Sequence, residues 1–542
     1  MPLSDGGEMA WPPKEWHPVT LRYAEHAAWY SGDPQQLGAA YVGTQAPITV
    51  GGQAMWRTNF DRFWARTQFA PQRRQMLHIP IASDIATTSA DQLFSQTPAF
   101  VIEEAESSKT GGAAAIQDRL DDLVEAAEIG QTLTEAAELA AALGGTFLRV
   151  TWDREVEPDH PLLTMVDVDQ AVPEWRWGRL TAVTFWSVVE MSDNPAGHKE
   201  VWRHLERHEP GVVLHGLYRG TDAHLGERMP LAAMPSLYLD DDVVQTGIDD
   251  LTAVYVPNMR PNRVHRGSSP GRNCGRSDYD GVEPLMDALD ETWTSWMRDL
   301  RLARARLIVP QEYFDVQGKG KGALFDVDQE VFEALPMSFG RDSGTMITPS
   351  QFAIRTAEHG ATAMGLVERI ISAAGYSAST FGLQDSESRR AVTATEIINR
   401  ERRSFVTRAK KIRYWTGPLA RILETLLAID AAQFGGPGSL RPRVDFDPDV
   451  HDDPQEMAAT VQALRAATVL SVETAVRMVH GDWSDEEVEA EVQRIDDEGK
   501  AQMPDLTGFG APAPADQQAP GQEQQPVAVP AAGTANGARG GA

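Results

Sequence analysis

The sequence lacks the residues on which several common protein classes depend. Its 542 residues include one cysteine, Cys274, so it has neither a disulfide framework nor a cysteine-based zinc cluster. It contains no run of about 18 apolar residues that could cross a membrane. Its N-terminus shows no basic stretch followed by an apolar run, which is the pattern of a signal peptide. We therefore expect a protein of a reducing compartment that does not enter a membrane.

Positive charge is also scarce, with 49 lysines and arginines against 78 aspartates and glutamates and a net charge of −29. Proteins that grip nucleic acid by neutralising its phosphates are usually basic. The composition therefore excludes a simple DNA clamp, although it leaves open a protein along which DNA passes without adhering. The chain length and the 42% hydrophobic content predict several structural units, about two to four.

The residue pattern predicts an α+β fold that is mainly helical. Residues 113–143 have the apolar spacing of two helices, of which Gly144 and Gly145 end the second. From 146 to 220, short β-branched and aromatic runs alternate with turn residues, which is typical of strands. These runs are TFLRVTW, LLTMVDV, LTAVTFWSVV, EVWRHLERH and VVLHGLYRG. Residues 504–542 are rich in Gln, Pro, Ala and Gly and are expected to be disordered.

A long helix is predicted over 391–430. Apolar residues recur every seven positions along it, at Ile398, Phe405, Ile412, Leu419 and Leu426. A second apolar row occupies only the C-terminal half, so that half is expected to be packed and the N-terminal half to be half-exposed. Gly417-Pro418 interrupts the run, and an interior proline loses a backbone hydrogen bond and clashes with the preceding turn, so we expect a kink or a break.

Two further helices are predicted at about 281–307 and 350–374. Ser277 or Asp278 is expected to cap the first of them. An earlier helix, ending near residue 98, is expected to be capped by Ser83 or Asp84 in the same way.

No constellation of residues predicts an active site. The stretch GSSPG at 267–271 has the spacing of a hydrolase nucleophile elbow, but Pro270 follows the serine and has no N–H for an oxyanion hole. His204 and His208 are four residues apart, as metal ligands on a helix would be, but their surroundings predict a strand and a packed or solvated pair. We predict no catalytic residue, no metal site and no cofactor, and do not expect an enzyme.

Basic residues nevertheless cluster on two of the predicted helices. On the long helix they are Arg400, Arg402, Arg403, Arg408, Lys410, Lys411 and Arg413. On the earlier helix they are Arg298, Arg301, Arg304 and Arg306. Two interpretations of the first cluster stay open: a solvated face paired with nearby acids, or contact with a neighbouring subunit or with DNA phosphate. The second cluster suits either a helix in a ring of like helices or a surface helix.

Several stretches, collinear along the chain, resemble the portal proteins of tailed bacteriophages, in particular those of phages that infect actinobacteria. These stretches are LHIPIASDIATTSADQLFSQTP, VPEWRWGRLTAVTFW, YVPNMRPNRV, GRSDYDGVEPLMDALDETWTSWMRDLRLARARLIVP and TATEIINRERRSFVTRAKKIRYW. The similarity extends over about residues 10–500.

The resemblance implies a homo-oligomeric ring, typically a dodecamer, at one vertex of the capsid. The channel of such a head–tail connector carries double-stranded DNA in during packaging and out during ejection. The implied parts are a wing (1–280), a stem helix (281–309), a clip (310–348), a returning stem helix (349–375), a tunnel loop (376–390), a long kinked helix with a wing strand (391–449), a crown (450–503) and the tail. The implied DNA-facing residues of the tunnel loop are Gln384, Asp385, Ser386, Glu387, Ser388, Arg389 and Arg390.

The resemblance also implies partners: viral DNA, a terminase, a head–tail adaptor, and the major capsid or scaffolding protein. It implies a place in the virion and, during assembly, in the host cytoplasm. The alternatives are a different virion connector or scaffold protein, or an enzyme that acts on nucleic acid.

Overall fold

A computed structural model gives the structure of this chain. It describes residues 3, 5–40, 48–50, 53–55, 76–103, 112–193, 199–239, 241–267, 270–302, 306–308, 348–350, 355–383, 394–446, 461–462, 465, 470–479 and 488–495. The chain divides into two compact units, Met1–His451 and Asp452–Ala542.

The helices of the first unit carry most of its core. They are α1 (His17–Ser31), α2 (Pro34–Ala40), α3 (Ile81–Phe94), α4 (Ala113–Ala126), α5 (Ile129–Leu143), α6 (Glu283–Leu302), α7 (Thr356–Ala374) and α8 (Ala394–Ile429). The two helices predicted within 113–143 are confirmed as α4 and α5. Gly144 ends α5 with a φ of 101°, and a Cβ there would lie 2.9 Å from the Arg276 backbone, so only glycine fits.

The strands form several separate sheets. They are β1 (Gly6–Ala10), β2 (Ile48–Val50), β3 (Gln53–Met55), β4 (Ala99–Val101), β5 (Gly145–Thr151), β6 (Leu162–Asp167), β7 (Ala171–Arg176), β8 (Arg179–Asp193), β9 (Lys199–Glu209), β10 (Val212–Gly220), β11 (His224–Met229), β12 (Val243–Gln245), β13 (Ala253–Pro257), β14 (Arg306–Ile308), β15 (Thr348–Ser350) and β16 (Arg443–Asp445). The five strands predicted between 146 and 220 are confirmed as β5, β6, β8, β9 and β10.

The largest sheet is antiparallel and has the order β1-β11-β10-β9-β8-β7, with β12 also paired to β10. A three-stranded sheet, β13-β5-β6, lies next to α5 and α8. The remaining strands make two-stranded pairs, among them β16 with β4 and β14 with β15. The fold is therefore α+β, with more helix than strand.

The core of this unit consists of two large apolar clusters. One joins α1, α3, α7 and the start of α6, and its fully buried members include Trp29, Ile85 and Ile370. The other joins α4, α5, the β5 sheet and the C-terminal half of α8, and includes Leu133 and Leu426. The apolar faces that the helical spacing predicts are the faces that are buried.

Helix α8 continues through Gly417-Pro418 to Ile429, so of the predicted kink or break at this point the break is excluded. Its predicted division into two halves is confirmed. Trp415, Leu419 and Leu426 are buried in the second half, whereas Arg402 and Lys410 are exposed in the first. Packing of the second half outweighs the cost of an interior proline, which is about 3 kcal/mol.

Both predicted helix caps are wrong. Helix α3 begins after Pro80, and the Ser83 hydroxyl donates back to the Pro80 carbonyl at 2.8 Å instead of capping the helix. Helix α6 begins at Glu283, too far from Ser277 for that side chain to cap it. Asp278 is buried and bonded elsewhere.

The second unit is described for short stretches. Its helix α9 (Val472–Val479) is capped by Ser471, whose Oγ accepts from the Thr474 N–H at 3.1 Å. In the described parts of both units, no helix combines the length and the apolar composition that crossing a bilayer requires.

Candidate functional site

Several of the predicted site residues cannot be placed. The loop residues 384–390 and Arg304 lie outside the described residues. For Arg306 and Arg400 the structure describes the backbone alone, in β14 and α8 respectively. The remaining predicted residues lie on α6 and on the N-terminal half of α8.

Arg298 and Arg301 are exposed near the end of α6, the helix that packs against α7. Asp299, between them, accepts from His359 Nε2 at 3.0 Å and from Arg355 Nη2 at 3.2 Å. Hydrogen bonds from His359 and then Arg355 lower the pKa of the Asp299 carboxyl. Arg298 and Arg301 therefore lie on either side of the hydrogen bonds that join α6 to α7, and their own side chains are exposed to solvent.

The basic cluster on α8 divides between contacts within the chain and exposed charge. Arg408 Nε donates to the Gln92 carbonyl on α3 at 2.6 Å, and Arg403 Nη1 donates to Ser372 Oγ on α7 at 2.8 Å. Arg402 and Lys410 are exposed. Thus α8 uses part of this cluster to hold its neighbouring helices.

Lys411 differs from the rest of the cluster because its side chain is fully buried. Its ammonium lies 2.5 Å from Asp278 Oδ2 and 2.5 Å from the Ser89 hydroxyl. An enclosed ammonium is not available to DNA or to a neighbouring subunit, so we correct that expectation for this residue. Burial lowers the pKa of Lys411, and the adjacent Asp278 carboxylate opposes that change.

Asp278 collects hydrogen bonds from several elements. The Tyr376 hydroxyl, just after α7, donates to its Oδ2 at 2.7 Å, and Asn258 Nδ2, just after β13, donates to its Oδ1 at 2.8 Å. Burial, followed by the charge of Asp278, raises the pKa of Tyr376 well above its ordinary value. We call Ser89, Asn258, Asp278, Tyr376 and Lys411 the buried joint. It connects the segment before α6, the segment after α7, and α8.

The polar face of α8 next to this joint holds the first residues of the predicted tunnel loop (376–390). Thr407 Oγ1 donates to the Gly375 carbonyl at 2.6 Å, and the Ser377 N–H donates to Ser404 Oγ at 2.9 Å. The Thr380 and Ser404 hydroxyls are 2.8 Å apart. The base of the loop is therefore fixed by hydrogen bonds to α8.

Two groups of histidines are candidates for a metal site. His208 Nδ1 lies 2.6 Å from Thr252 Oγ1 and its Nε2 lies 2.8 Å from Glu206, while His204 Nε2 lies 3.2 Å from His215 Nδ1. Of the two predicted alternatives, a packed or a solvated pair, the structure shows the packed one, because protein groups contact these ring nitrogens.

A second group brings His26, Asp280 and Glu283 close enough to hold a metal ion. Sequence reasoning missed it because His26 precedes Glu283 by 257 residues. Arg22 Nη2 lies 2.7 Å from Asp280 and also contacts Glu283, so a guanidinium occupies the place that a cation would take. The geometry fits an ion-pair network that fixes α1 to the start of α6.

The chain is similar to one known protein family. The profile of a family described as "Phage portal protein, SPP1 Gp6-like" matches residues 64–505. No curated protein matches the chain significantly. A chain of the solved structure "Neck of empty GTA particle computed with C6 symmetry" shares 13% identity with it at a TM-score of 0.38, over 74% of this chain and 90% of that chain.

Proposed function

This chain belongs to the phage portal protein family of the SPP1 Gp6-like type, and from that premise we propose that its copies close into a ring, a dodecamer, around a DNA channel. The ring stands at one vertex of the capsid, admits double-stranded DNA during packaging and releases it during ejection. The family match over residues 64–505 carries this proposal.

We assign α6 and α7 to the stem and residues 310–348 to the clip. Strands β14 and β15 pair with Arg306 opposite Ser350, so the chain leaves the helix pair and returns to it at one place. Asp299 and Arg355 are bonded at the same end. This arrangement supports an insertion that is attached at the end of the stem, as a clip would be.

We assign 376–390 to the tunnel loop, 1–280 with 391–449 to the wing, and 450–503 to the crown. The bonds from Ser404 and Thr407 to the segment 375–377 support the loop assignment, because they give a loop a rigid base on a long helix. Residues 384–390 then act as a contact element that meets passing DNA.

The net negative charge of the chain is suited to a channel through which DNA passes. Each phosphate that a protein neutralises releases counterions and adds affinity, so a basic channel would hold the DNA that it should let through. A net charge of −29 on every copy repels the duplex from the wall. Arg389 and Arg390 on the loop, among acidic neighbours, supply brief contacts.

No nucleotide-hydrolysing motif is visible in the sequence, so the force for packaging comes from a partner, a terminase motor. A head–tail adaptor, and the major capsid or scaffolding protein, are the other partners that we propose. Assembly with them places the chain in the host cytoplasm before it reaches the virion.

Electron microscopy and native mass spectrometry of the purified chain test the ring. We expect closed rings of a single copy number with an open axis in end-on views. A monomer that persists at high protein concentration would contradict the ring. Discs without a central opening would favour a scaffold or connector that DNA does not cross.

A further inference from the structure

An arginine-lined cleft lies beside the middle of α8. Its volume is about 350 Å³, and its walls are the β7–β8 hairpin, the strand β13 with the residues before it, and one face of α8. Its basic lining residues are Arg179, Arg260, Arg413, Arg421 and Arg441. Among the described residues that line the cleft, Asp250 is the one acidic residue. The concentration of positive charge is unusual in a chain with 78 acidic residues.

Most of these guanidinium groups have no carboxylate partner. Arg260 donates to the Asn273 carbonyl at 2.5 Å, and Arg441 donates to the Gly417 carbonyl at 3.4 Å. In the part of the chain that the structure describes, the side chains of Arg179, Arg413 and Arg421 make no hydrogen bond or ion pair. Five guanidinium groups that converge on a lining with one carboxylate, Asp250, repel one another, so the cleft favours an anionic occupant.

The two uncommitted arginines of α8 are suited to an extended anionic surface. Arg413 and Arg421 are eight residues apart on one helix face, with Gly417 between them. Eight residues of α-helix span about 12 Å, so the two groups can reach carboxylates that lie about two helical turns apart on a facing element. A planar guanidinium binds a carboxylate with two parallel hydrogen bonds, which gives such a contact direction as well as strength.

Trp177 stands at the tip of the hairpin that forms one wall of the cleft. Its side chain is 95% exposed, and its φ of 53° precedes a φ of 76° at Gly178. Both φ values fit the two-residue turn that joins β7 to β8, which requires positive φ at its two central residues, but the exposed indole buries no apolar surface within the monomer. Exposed tryptophan beside arginine is the composition of protein–protein hot spots.

We propose that the cleft receives a carboxylate-rich surface of an adjacent copy of this chain, with Trp177 packed against that copy. The inference rests on the proposed ring. A closed ring needs one surface of each copy to fit a different surface of the next, and every copy carries an excess of acid. Duplex DNA is a poorer occupant, because its stacked bases offer no face to Trp177 and because gripped phosphates would stop passage.

The first test reverses charge in the cleft. In the double variant R413E/R421E, the new glutamates repel the carboxylates of the adjacent copy that the arginines would attract. We therefore expect the protein concentration at which rings form to rise at least tenfold in native mass spectrometry. The matched control is R263E/R266E, which makes the same charge change at exposed arginines outside the cleft lining and should form rings like the parent. Far-UV circular dichroism of all the chains separates lost assembly from lost folding.

The second test does not depend on that variant folding. Benzoylphenylalanine in place of Trp177 should, on irradiation of purified rings, yield covalent dimers whose cross-linked peptide contains acidic residues. Rings that form normally in R413E/R421E and give no dimer overturn the interface but leave the ring. A parent chain that makes neither rings nor dimers overturns both. Intact R413E/R421E rings with weaker binding of a fluorescent duplex would assign the cleft to nucleic acid instead.

Discussion

Asp278 is the acceptor at the centre of the buried joint, and three of its bonds come from elements that are far apart in sequence. Lys411, Tyr376 and Asn258 all donate to it. A buried pair of this kind adds little net stability compared with an apolar pair, but it is costly to leave half-made. Its contribution is therefore to the position of α8 relative to the ends of α6 and α7.

Removing the Lys411 ammonium should destabilise the chain strongly. Lys411→Met leaves the Asp278 carboxylate buried without its counter-charge, which costs about 3–5 kcal/mol of unfolding free energy. Guanidinium unfolding followed by tryptophan fluorescence measures this change. Lys410→Met is the matched control, since Lys410 is the exposed neighbour, and it should change the unfolding free energy by less than about 0.5 kcal/mol. Equal effects of the two substitutions would contradict the buried joint.

His204 should make stability depend on pH. Burial, together with the neighbouring His215, lowers its pKa from 6.5 to about 4. The unfolded chain therefore binds the proton more readily between these values, and stability falls as the pH drops from 6.5 toward 4. Burial also lowers the pKa of His215, which adds to the same loss.

The variant His204→Gln should reduce the slope of unfolding free energy against pH between 6.5 and 4.5 by up to about 1.4 kcal/mol per unit. Two charged groups share the site, Arg149 and Glu206. Burial by itself would raise the pKa of Glu206, but the charges and hydrogen bonds of Arg149 and His208 outweigh burial and lower it. Protonation of Glu206 therefore changes the unfolding free energy only below pH 4.5. His224→Gln, at an exposed position, is the control for losing one imidazole. An unchanged slope in His204→Gln would exclude His204 as a source of the pH dependence.

Sequence reasoning could not separate Lys411 from the exposed cations around it. All members of the cluster look alike in a helical run, and the partner of Lys411 lies 133 residues earlier. One signal was available: Ser404, Thr407 and Lys411 continue the buried face that Trp415 begins. A polar row in line with an apolar row indicates a buried face with hydrogen-bonded partners.

At the scale of elements, the sequence predicted what local patterns determine. The strands of 146–220 have short alternating runs between turns, and α4 and α5 have a clear apolar face. The short strands β1 and β4 were harder, because their partners decide them: β1 pairs with β11, and β4 pairs with β16 across more than 300 residues. Helix α8 crosses Pro418 because packing further along the helix outweighs a local penalty.

Two glycines, Gly417 within α8 and Gly375 next to it, should change the stability of the chain in opposite directions when replaced by alanine. Gly417 has an unstrained φ, and a Cβ there would meet no atom within 4 Å, so Gly417→Ala should stabilise the chain by about 0.5–1 kcal/mol. Gly375 has a φ of 105°, and a Cβ would lie 3.1 Å from Thr407 Oγ1. Gly375→Ala should therefore destabilise the chain by more than about 1 kcal/mol. Thermal unfolding of both variants checks the pair, and changes of the same sign would contradict it.

Shortening the loop between α7 and α8 tests its assignment. Deletion of 384–389 removes most of the proposed DNA contact and leaves Ser404, Thr407 and the segment they hold in place. We expect rings to form as in the parent, while packaging or retention of DNA in assembled particles falls. Replacing the same six residues with a Gly/Ser linker is the control for loop length. Unimpaired packaging after the deletion would refute the tunnel-loop assignment.

At the scale of the whole molecule, the net charge follows from the composition, whereas the proposed ring was inferred from the resemblance to portal proteins. A count of acids and bases needs no structure and already opposes a DNA clamp. The copy number depends on the angle between two complementary surfaces, and a single chain gives no measure of that angle. The arginine cleft could not be read from sequence either, because β7, β8, α8 and Arg441 meet there from distant positions.

The proposed channel, with its excess of negative charge, makes a final prediction about affinity for DNA. A protein that contacts about 6–10 phosphates loses roughly 10³–10⁵ in affinity between 50 and 200 mM salt. A repelling channel whose loop arginines, Arg389 and Arg390 of each copy, touch DNA only briefly should instead bind a linear duplex weakly. The logarithm of its binding constant should then fall with the logarithm of salt concentration much less steeply than for such a protein. Fluorescence anisotropy of purified rings with a labelled duplex over this salt range measures the slope. The variant R389Q/R390Q should bring it close to zero. Tight binding at 150 mM salt with a steep slope would mean that the channel grips its cargo, and the account of passage by repulsion would fail.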